Sequence, residues 1–458
     1  MRMTSSLLRS TVVGALGGLL FGFDTVVISG TTAQLSQVFS LSPKSLGLTV
    51  SIALWGTVTG CIFAGPIGQK IGGRNALRIM AALYVVSAIG CACAWNWPSL
   101  MIFRFIGGLG IGGSSVLGPV YIAELAPAKW RGRLVGCFQV NVVIGILLAY
   151  VSNWFIARLG LGLTEWRWQL GVAFLPALLF LILLYTIPQS SRFLVTQNSL
   201  EDALSVLRLM GTEDPERELS TIRASLHLER SQKAEPLFQR SLRLPIFLAI
   251  SIGLFNQLSG INAVLYYAND IFAAAGLSRL STFSQSIFIG LANLVGTAGG
   301  MLLIDKIGRK TLLLIGAVAT CFCLLMTALI FSRGTNQGQV VWLLVTFIGF
   351  FALSQGAVIW VYISEIFPTR VRSKGQSLGG SAHWITDAVI ASLFPLAVAR
   401  VSRAAPFYFF AAMTALQFFV VLFVYPETKG ATLEQLQEQL QQQQLEEAWP
   451  TPGSQGLR

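Results

Sequence analysis

Long apolar stretches separated by short polar gaps organise this chain. Windows long enough to cross a bilayer's hydrocarbon core, which takes roughly 20 helical residues, fall at residues 11–33, 46–69, 76–96, 98–125, 132–156 and 167–187. A polar interval follows, and six more such windows run over 243–271, 283–305, 311–331, 339–366, 373–400 and 405–425. Each predicts a transmembrane helix, so the expected architecture is all-α with 12 membrane-spanning helices. An even number of crossings puts both termini on the same side.

Composition agrees with this pattern. Charged residues are 11% of the chain and apolar ones 54%, against roughly 25% charged in soluble domains. The first window is longer than a signal-peptide core and no A-x-A-type site follows it, so it is expected to remain as a span. The net charge of +12 raises the question of an acidic partner, and its distribution answers it. Lys70, Arg74 and Arg78; Lys129, Arg131 and Arg133; Lys306, Arg309 and Lys310; and Arg370, Arg372 and Lys374 lie in alternate gaps, while the first gap holds only Lys44 and the third no cation. This is the positive-inside pattern. It predicts cytoplasmic clusters and termini, a lipid bilayer as surroundings and no nucleic acid as partner. Absence of any N-x-[ST] sequon favours a bacterial inner membrane. The six cysteines (Cys61, Cys91, Cys93, Cys137, Cys321, Cys323) fall in apolar windows and read as packing residues without the further ligands of a zinc site.

The two sets of six windows repeat. IGGR at Gly72 returns as IGRK at Gly308, 236 residues on; YIAELAP with Glu124 returns as YISEIFP with Glu365, 241 on; PQSSR from Pro188 returns as PETKG from Pro426, 238 on. Three motifs at nearly one offset imply duplicated six-helix bundles with a site between them. The expected organisation is an N-terminal bundle (1–189), a cytoplasmic linker (190–242), a C-terminal bundle (243–426) and a polar tail (427–458), helical at first and frayed at its end. Within the linker, Ser199 as N-cap and Gly211 as stop predict one short amphipathic helix and Pro215 starts another; a disordered linker is the alternative.

Polar residues inside the apolar windows are candidates for function, because burying them in hydrocarbon is costly. Asp24 lies in the first window and Arg104 in the fourth, at similar depth, so they can pair. Gln139, Asn256, Gln257, Asn262 and Asn293 supply amides, and Trp360 and Trp384 supply aromatic faces. Unpaired amides in hydrocarbon are costly, so all are expected to face an interior cavity. Each amide alone reads equally well as a bond between neighbouring helices. His383 shares a helix face with Asp387 four residues on; one reading is a proton-sensitive sugar contact, the other a neutral histidine hydrogen-bonded within the bundle. The match to G-x-G-x-x-G at Gly108, Gly110 and Gly113 follows no strand and reads as close helix packing rather than a dinucleotide site.

The strings FGFDTVVISG from Phe21, RFIGGLGIGG from Arg104, YIAELAPAKWRGRL from Tyr121, NQLSGINAVLYYA from Asn256, DKIGRKTLL from Asp305, YISEIFPTRVRSKG from Tyr362 and PETKG from Pro426, in this order, resemble the sugar porters of the major facilitator superfamily. The resemblance runs over about residues 11–434. It is to the bacterial proton-linked monosaccharide symporters and, more distantly, to human facilitative glucose transporters. It implies the major facilitator fold, two pseudo-symmetric six-helix bundles that rock about a central monosaccharide site, with no enzyme activity, no cofactor and no obligate protein partner.

The resemblance also implies roles. Gln139, Gln257, Asn262, Asn293 and Trp360 match the sugar-binding positions, Phe21 the aromatic of the first helix, and Tyr266 and Tyr267 the extracellular gate. Asn256 stands where the family has Gln and is expected to reach sugar through water; His383, before Trp384, stands where Asn or Gln is usual. Asp24 is implied as proton carrier and Arg104 as its partner, with a structural ion pair as the other reading. A cytoplasmic latch is implied for Arg74, Glu124, Arg131, Arg133, Asp305, Arg309, Glu365, Arg370, Arg372 and Glu427. Gln69, Gly73 and Gln189 depart from the family's charged positions, so the latch is expected to lean on the C-terminal half. The tenth window reads GAVIW without the family's prolines, which predicts a stiffer hinge or one resting on Gly356. The function implied is proton-coupled symport of glucose or another hexose; passive uniport, a pentose or polyol cargo, and a non-transporting receptor are the alternatives.

Overall fold

Helix starts are written into the gaps. Thr4 accepts from the Leu7 N–H, Ser42 caps a helix opening with Pro43, and Asn96 forms a capping box with Ser99 ahead of Pro98. Each satisfies N–H groups that would otherwise be orphaned at a helix end. The computed structural model describes residues 4–127, 129–231, 236–368 and 370–429, and every regular element among them is helical. The expected tail from 430 onward lies outside the described residues.

Among the described residues, twelve helices are long and apolar enough to cross a membrane: α1 Ser5–Gly30, α2 Pro43–Ile71, α3 Gly73–Ala92, α4 Trp97–Leu125, α5 Arg131–Arg158, α6 Gly162–Leu183, α7 Arg240–Tyr266, α8 Arg279–Ile307, α9 Arg309–Arg333, α10 Gln339–Ile366, α11 Arg372–Arg400 and α12 Ala405–Val424. Helices at Ser191–Thr196, Leu200–Leu209 and Pro215–Ser231 fill much of the interval between α6 and α7. Ser199 precedes the second of these without a side-chain capping bond, and Gly211 follows it at φ +79°.

The repeat has a structural expression at one end of the molecule. Gly72 and Gly308 join α2 to α3 and α8 to α9 at φ +84° and +103°, a region open to glycine and strained for other residues. A Cβ at Gly72 would strike Gln189, and one at Gly308 would strike Glu427. Those two side chains cap the helices that follow: Gln189 Oε1 accepts from the Arg74 N–H at 3.0 Å, and Glu427 accepts from the N–H groups of Arg309 and Lys310 at 2.8 and 3.0 Å. Tyr121 donates to the Pro188 carbonyl at 2.6 Å and Tyr362 to that of Pro426 at 3.2 Å. The same latch between helix start and chain exit is thus built twice, with a neutral amide in the first half and a carboxylate in the second.

The first six spans meet the last six mainly where α2 packs on α11 and α5 on α8. Gly108 on α4 lies against the α2 backbone at Ala53 and Gly56, which is close packing of the kind the glycine-rich string predicts. Three spans are broken. Gly260 at φ +80° divides α7 into Arg243–Leu258 and Ile261–Tyr266, α6 is interrupted between Gly171 and Phe174, and α10 contains a π-helical segment, Ala352–Gly356. That segment ends one turn before Trp360, so the irregularity in α10 does not rest on Gly356 alone; Ser354 and Gln355 help to hold it, donating to the Phe350 carbonyl at 2.6 Å and to Gln417 Oε1 at 3.0 Å.

Candidate functional site

On α1, Phe21 and Asp24 stand about one turn apart and face different partners. Arg104, from α4, brings Nη1 to 3.5 Å from Asp24 Oδ1, and its side chain is only 2% exposed. The pair is loose: Asp24 Oδ2 and Arg104 Nε are both buried without a hydrogen-bond partner among the described residues. A bidentate pair would satisfy both atoms. Here a carboxylate and a guanidinium are kept close while part of each remains unsatisfied, an arrangement that a proton or a local movement can tip.

Next to Asp24, a cluster of rings and amides spans the seam between the halves. Phe21 packs on Trp384 of α11 with centroids 5.5 Å apart. His383 stands edge-on to Trp384 at 4.9 Å and lies 5.3 Å from Trp360 of α10. Gln257, on the first piece of α7, places Nε2 at 2.9 Å from His383 Nε2, so the amide donates to a neutral imidazole nitrogen. On the second piece of α7, Asn262 Nδ2 and Tyr266 OH both donate to Asp387 Oδ2, at 2.8 and 2.9 Å. Tyr267 OH donates to the Ala391 carbonyl at 2.8 Å. Asn256 is buried beside Gln257 on α7.

Gln139 and Asn293 stand apart from this cluster. Gln139 is half-buried on α5, and Asn293 on α8 accepts from Thr297 at 3.3 Å; among the described residues no direct hydrogen bond ties either to the rings. The structure therefore brings together Phe21, Gln257, Asn262, Tyr266, Trp360, His383 and Trp384, and leaves Gln139 and Asn293 on the facing pair of helices.

At the cation-poor end, polar contacts tie the two halves together. Ser392 of α11 meets Ser51 of α2 at 2.7 Å, Asn269 donates to the Ser29 carbonyl at 3.1 Å, and Tyr150 of α5 donates to the Leu265 carbonyl at 2.9 Å. Arg279, opening α8, pairs with Glu165 at the start of α6, whose side chain is fully buried. This end is closed. These ties leave little trace in the sequence: a lone acid, Glu165, stands at one span entrance and a lone base, Arg279, at another.

At the cation-rich end, the C-terminal residues join one another. Arg309 holds Glu365 through Nε and Nη2 at 3.1 and 2.8 Å and Asp305 at 3.0 Å, while Thr428 donates to Glu365 at 2.6 Å. Arg372 donates to the Phe367 carbonyl at 3.5 Å; Arg370 has a partner of its own. In the first half the contacts are more neutral: Arg74 Nη1 donates to the Ile187 carbonyl at 3.1 Å, Glu124 lies beside Ser190 and Arg192, and Arg133 stacks over Trp130. Arg131 is exposed.

The duplicated twelve-helix fold has counterparts among known proteins. The family model described as "Sugar (and other) transporter" matches residues 10–440. The chain belongs to this sugar transporter family. The D-xylose-proton symporter of Escherichia coli strain K12 is 36% identical, the match covering 95% of this chain and 96% of that protein. A glucose transport protein of Synechocystis is 33% identical over 93% of this chain and 95% of that protein. Among solved structures, the xylose transporter XylE from E. coli in an inward open conformation superposes with a TM-score of 0.84 at 33% identity, covering 94% of this chain and 99% of that one. The fold is accordingly that of the major facilitator superfamily, an all-α membrane protein with twelve transmembrane helices in two pseudo-symmetric bundles. The family is one of transporters of sugars and other compounds.

Proposed function

We propose that this sugar transporter carries a monosaccharide, glucose or another hexose, together with protons across the bacterial inner membrane by alternating access. The reading rests above all on the Asp24–Arg104 pair, an acid and a base held 3.5 Å apart inside the membrane with a carboxylate oxygen left unpartnered. A proton on Asp24 cancels its attraction for Arg104, and a carboxylate regains it. The proton therefore changes how α1 and α4 hold each other, next to the Phe21–Trp384 contact that joins the two halves.

In this account the cation-rich end and both termini are cytoplasmic, and residues 1–189 and 243–426 move as two units joined by the linker 190–242. Asp24 takes a proton from outside, and sugar binds with its C–H face on Trp384, Trp360 and Phe21. Its hydroxyls meet Gln257, Asn262, His383, Gln139 and Asn293, with Asn256 reaching them through water. The halves then rock, the outer end closes around Tyr266 and Tyr267, and sugar and proton leave inward. A ligand drives such a change only by binding the two states unequally. Glu365, Asp305, Arg309, Arg370, Arg372 and Glu427, with Arg74, Glu124, Arg131 and Arg133 opposite, bias the cytoplasmic ends toward one state or the other.

A pentose is the second reading, favoured by the relative named as a D-xylose-proton symporter. Uptake of labelled glucose, galactose, fructose and xylose into proteoliposomes, with and without an acid exterior, decides between them. The account expects a hexose to enter fastest and to accumulate only with the proton gradient. Preference for xylose transfers the cargo to the second reading, and flux indifferent to the gradient removes coupling.

A further inference from the structure

Asp387 is a carboxyl group in the middle of α11 that the symport account does not use. It is fully buried. Both of its hydrogen bonds, from Asn262 and Tyr266, arrive at Oδ2 and come from the short outer piece of α7, Ile261–Tyr266. Its other oxygen, Oδ1, is buried with no partner among the described residues. The groups that face it are Tyr266 from α7, His383 one turn away on α11 itself and, through Tyr266, the charge of Arg104 on α4. Of the helices packed on α11, α2, α7 and α10 carry charged side chains only near their ends, Lys44 and Lys70, Arg240 and Arg243, and Glu365, and α12 carries none, whereas α1, which meets α11 through Phe21 and Trp384, holds Asp24 within its span, paired with Arg104. No cation touches Asp387 among the described residues.

We propose that Asp387 is a second proton-binding site, distinct from Asp24, whose proton competes with the Asn262 and Tyr266 hydrogen bonds that hold Ile261–Tyr266 against α11. With the outer end closed, two donors on one oxygen stabilise the carboxylate and offset part of the cost of its burial. When the outer piece of α7 swings away, both donors leave, and a carboxylate in a low-dielectric setting without a counter-ion takes a proton from external water. On closure the Tyr266 O–H and Asn262 N–H return to Oδ2 and the proton goes back to the same water. One proton binds and one is released on the same side, so the number carried with sugar remains set by Asp24. An acid exterior thereby favours an open outer gate, and the inference holds whether or not Asp24 is the transported proton's carrier.

Two readouts on full-length protein in liposomes test this without relying on sugar flux. The first is infrared titration of protonated carboxyl bands. An acid-induced band is expected that disappears in Asp387→Asn and persists in Asp24→Asn. The second is hydrogen exchange of the backbone over residues 261–267, corrected for the intrinsic effect of pH. It should rise about tenfold on acidification in the wild type and stay flat in Asp387→Asn, whose amide oxygen can still accept both bonds. Tyr266→Phe, which removes one donor, should move the midpoint of both signals about one pH unit toward alkaline values; this variant keeps the test open should Asp387→Asn not fold. A band unaffected by Asp387→Asn, an unmoved midpoint in Tyr266→Phe, or exchange over 261–267 indifferent to pH overturns the proposal. Loss of proton-driven accumulation in Asp24→Asn bears on the symport account alone.

Discussion

Ser51 on α2 and Ser392 on α11 meet Oγ to Oγ at 2.7 Å across the seam between the two halves. Gly47, one turn further out on α2, lies directly against the Ser392 carbonyl, so the backbones are close as well. Alternating access requires this contact to part in every cycle. Replacing both serines, Ser51→Cys with Ser392→Cys, should therefore give a protein whose uptake is abolished by an oxidant and restored by a reductant, while either single variant is indifferent to both. Uptake that continues after complete cross-linking would show that these helices stay together during transport.

Gln257 and His383 tie α7 to α11 at 2.9 Å within the ring cluster. Removing the amide takes away a proposed sugar contact and leaves a buried imidazole without its donor. Gln257→Ala is expected to raise the KM for sugar about tenfold, the equivalent of one good hydrogen bond, with kcat changed much less. An unchanged KM in a transport assay would place Gln257 outside the binding site and leave it a helix-to-helix tie.

The motifs at the cation-rich end are asymmetric. Glu365 is bound by two Arg309 bonds and by Thr428, whereas its counterpart Glu124 lies beside Ser190 and Arg192, and Glu427 has a neutral counterpart in Gln189. Glu365→Gln should lower the maximal rate about tenfold, as expected when a half-buried pair loses its charge, and Glu124→Gln by about threefold or less. Initial-rate measurements on the two variants side by side check the order, and the reverse order would contradict a latch that leans on the C-terminal half.

Gly308 combines a φ of +103° with contact to the Glu427 carboxylate. Gly308→Ala should cost about 2 kcal/mol from backbone strain and loss of the cap on α9. Gly72→Ala, at φ +84° against Gln189, should cost somewhat less because its cap is uncharged. Thermal unfolding of the purified variants measures both.

Much of this architecture is legible in the sequence. Window length and charge alternation locate twelve spans because hydrocarbon thickness and cation bias act on sequence directly. The three repeated motifs point to duplication, and a lone acid and base in apolar windows point to each other by depth. What stayed hidden depends on how helices cross. The break at Gly260 and the π segment at Ala352–Gly356 sit in runs that read as continuous, since only tertiary contacts select the irregular backbone. Asp387 could be placed on the His383 face of α11, but a 3.6-residue period does not say that Asn262 and Tyr266 arrive opposite it. The Glu165–Arg279 pair lies on spans separated by the whole linker, so the sequence shows an acid and a base at two span entrances and nothing that joins them.

The most direct test of coupling is to compare Asp24→Asn with the wild type in proteoliposomes, measuring sugar accumulation under an imposed acid exterior and sugar exchange without any gradient. The account predicts that the variant still exchanges sugar across the membrane but no longer concentrates it. Undiminished proton-driven accumulation in Asp24→Asn would contradict it.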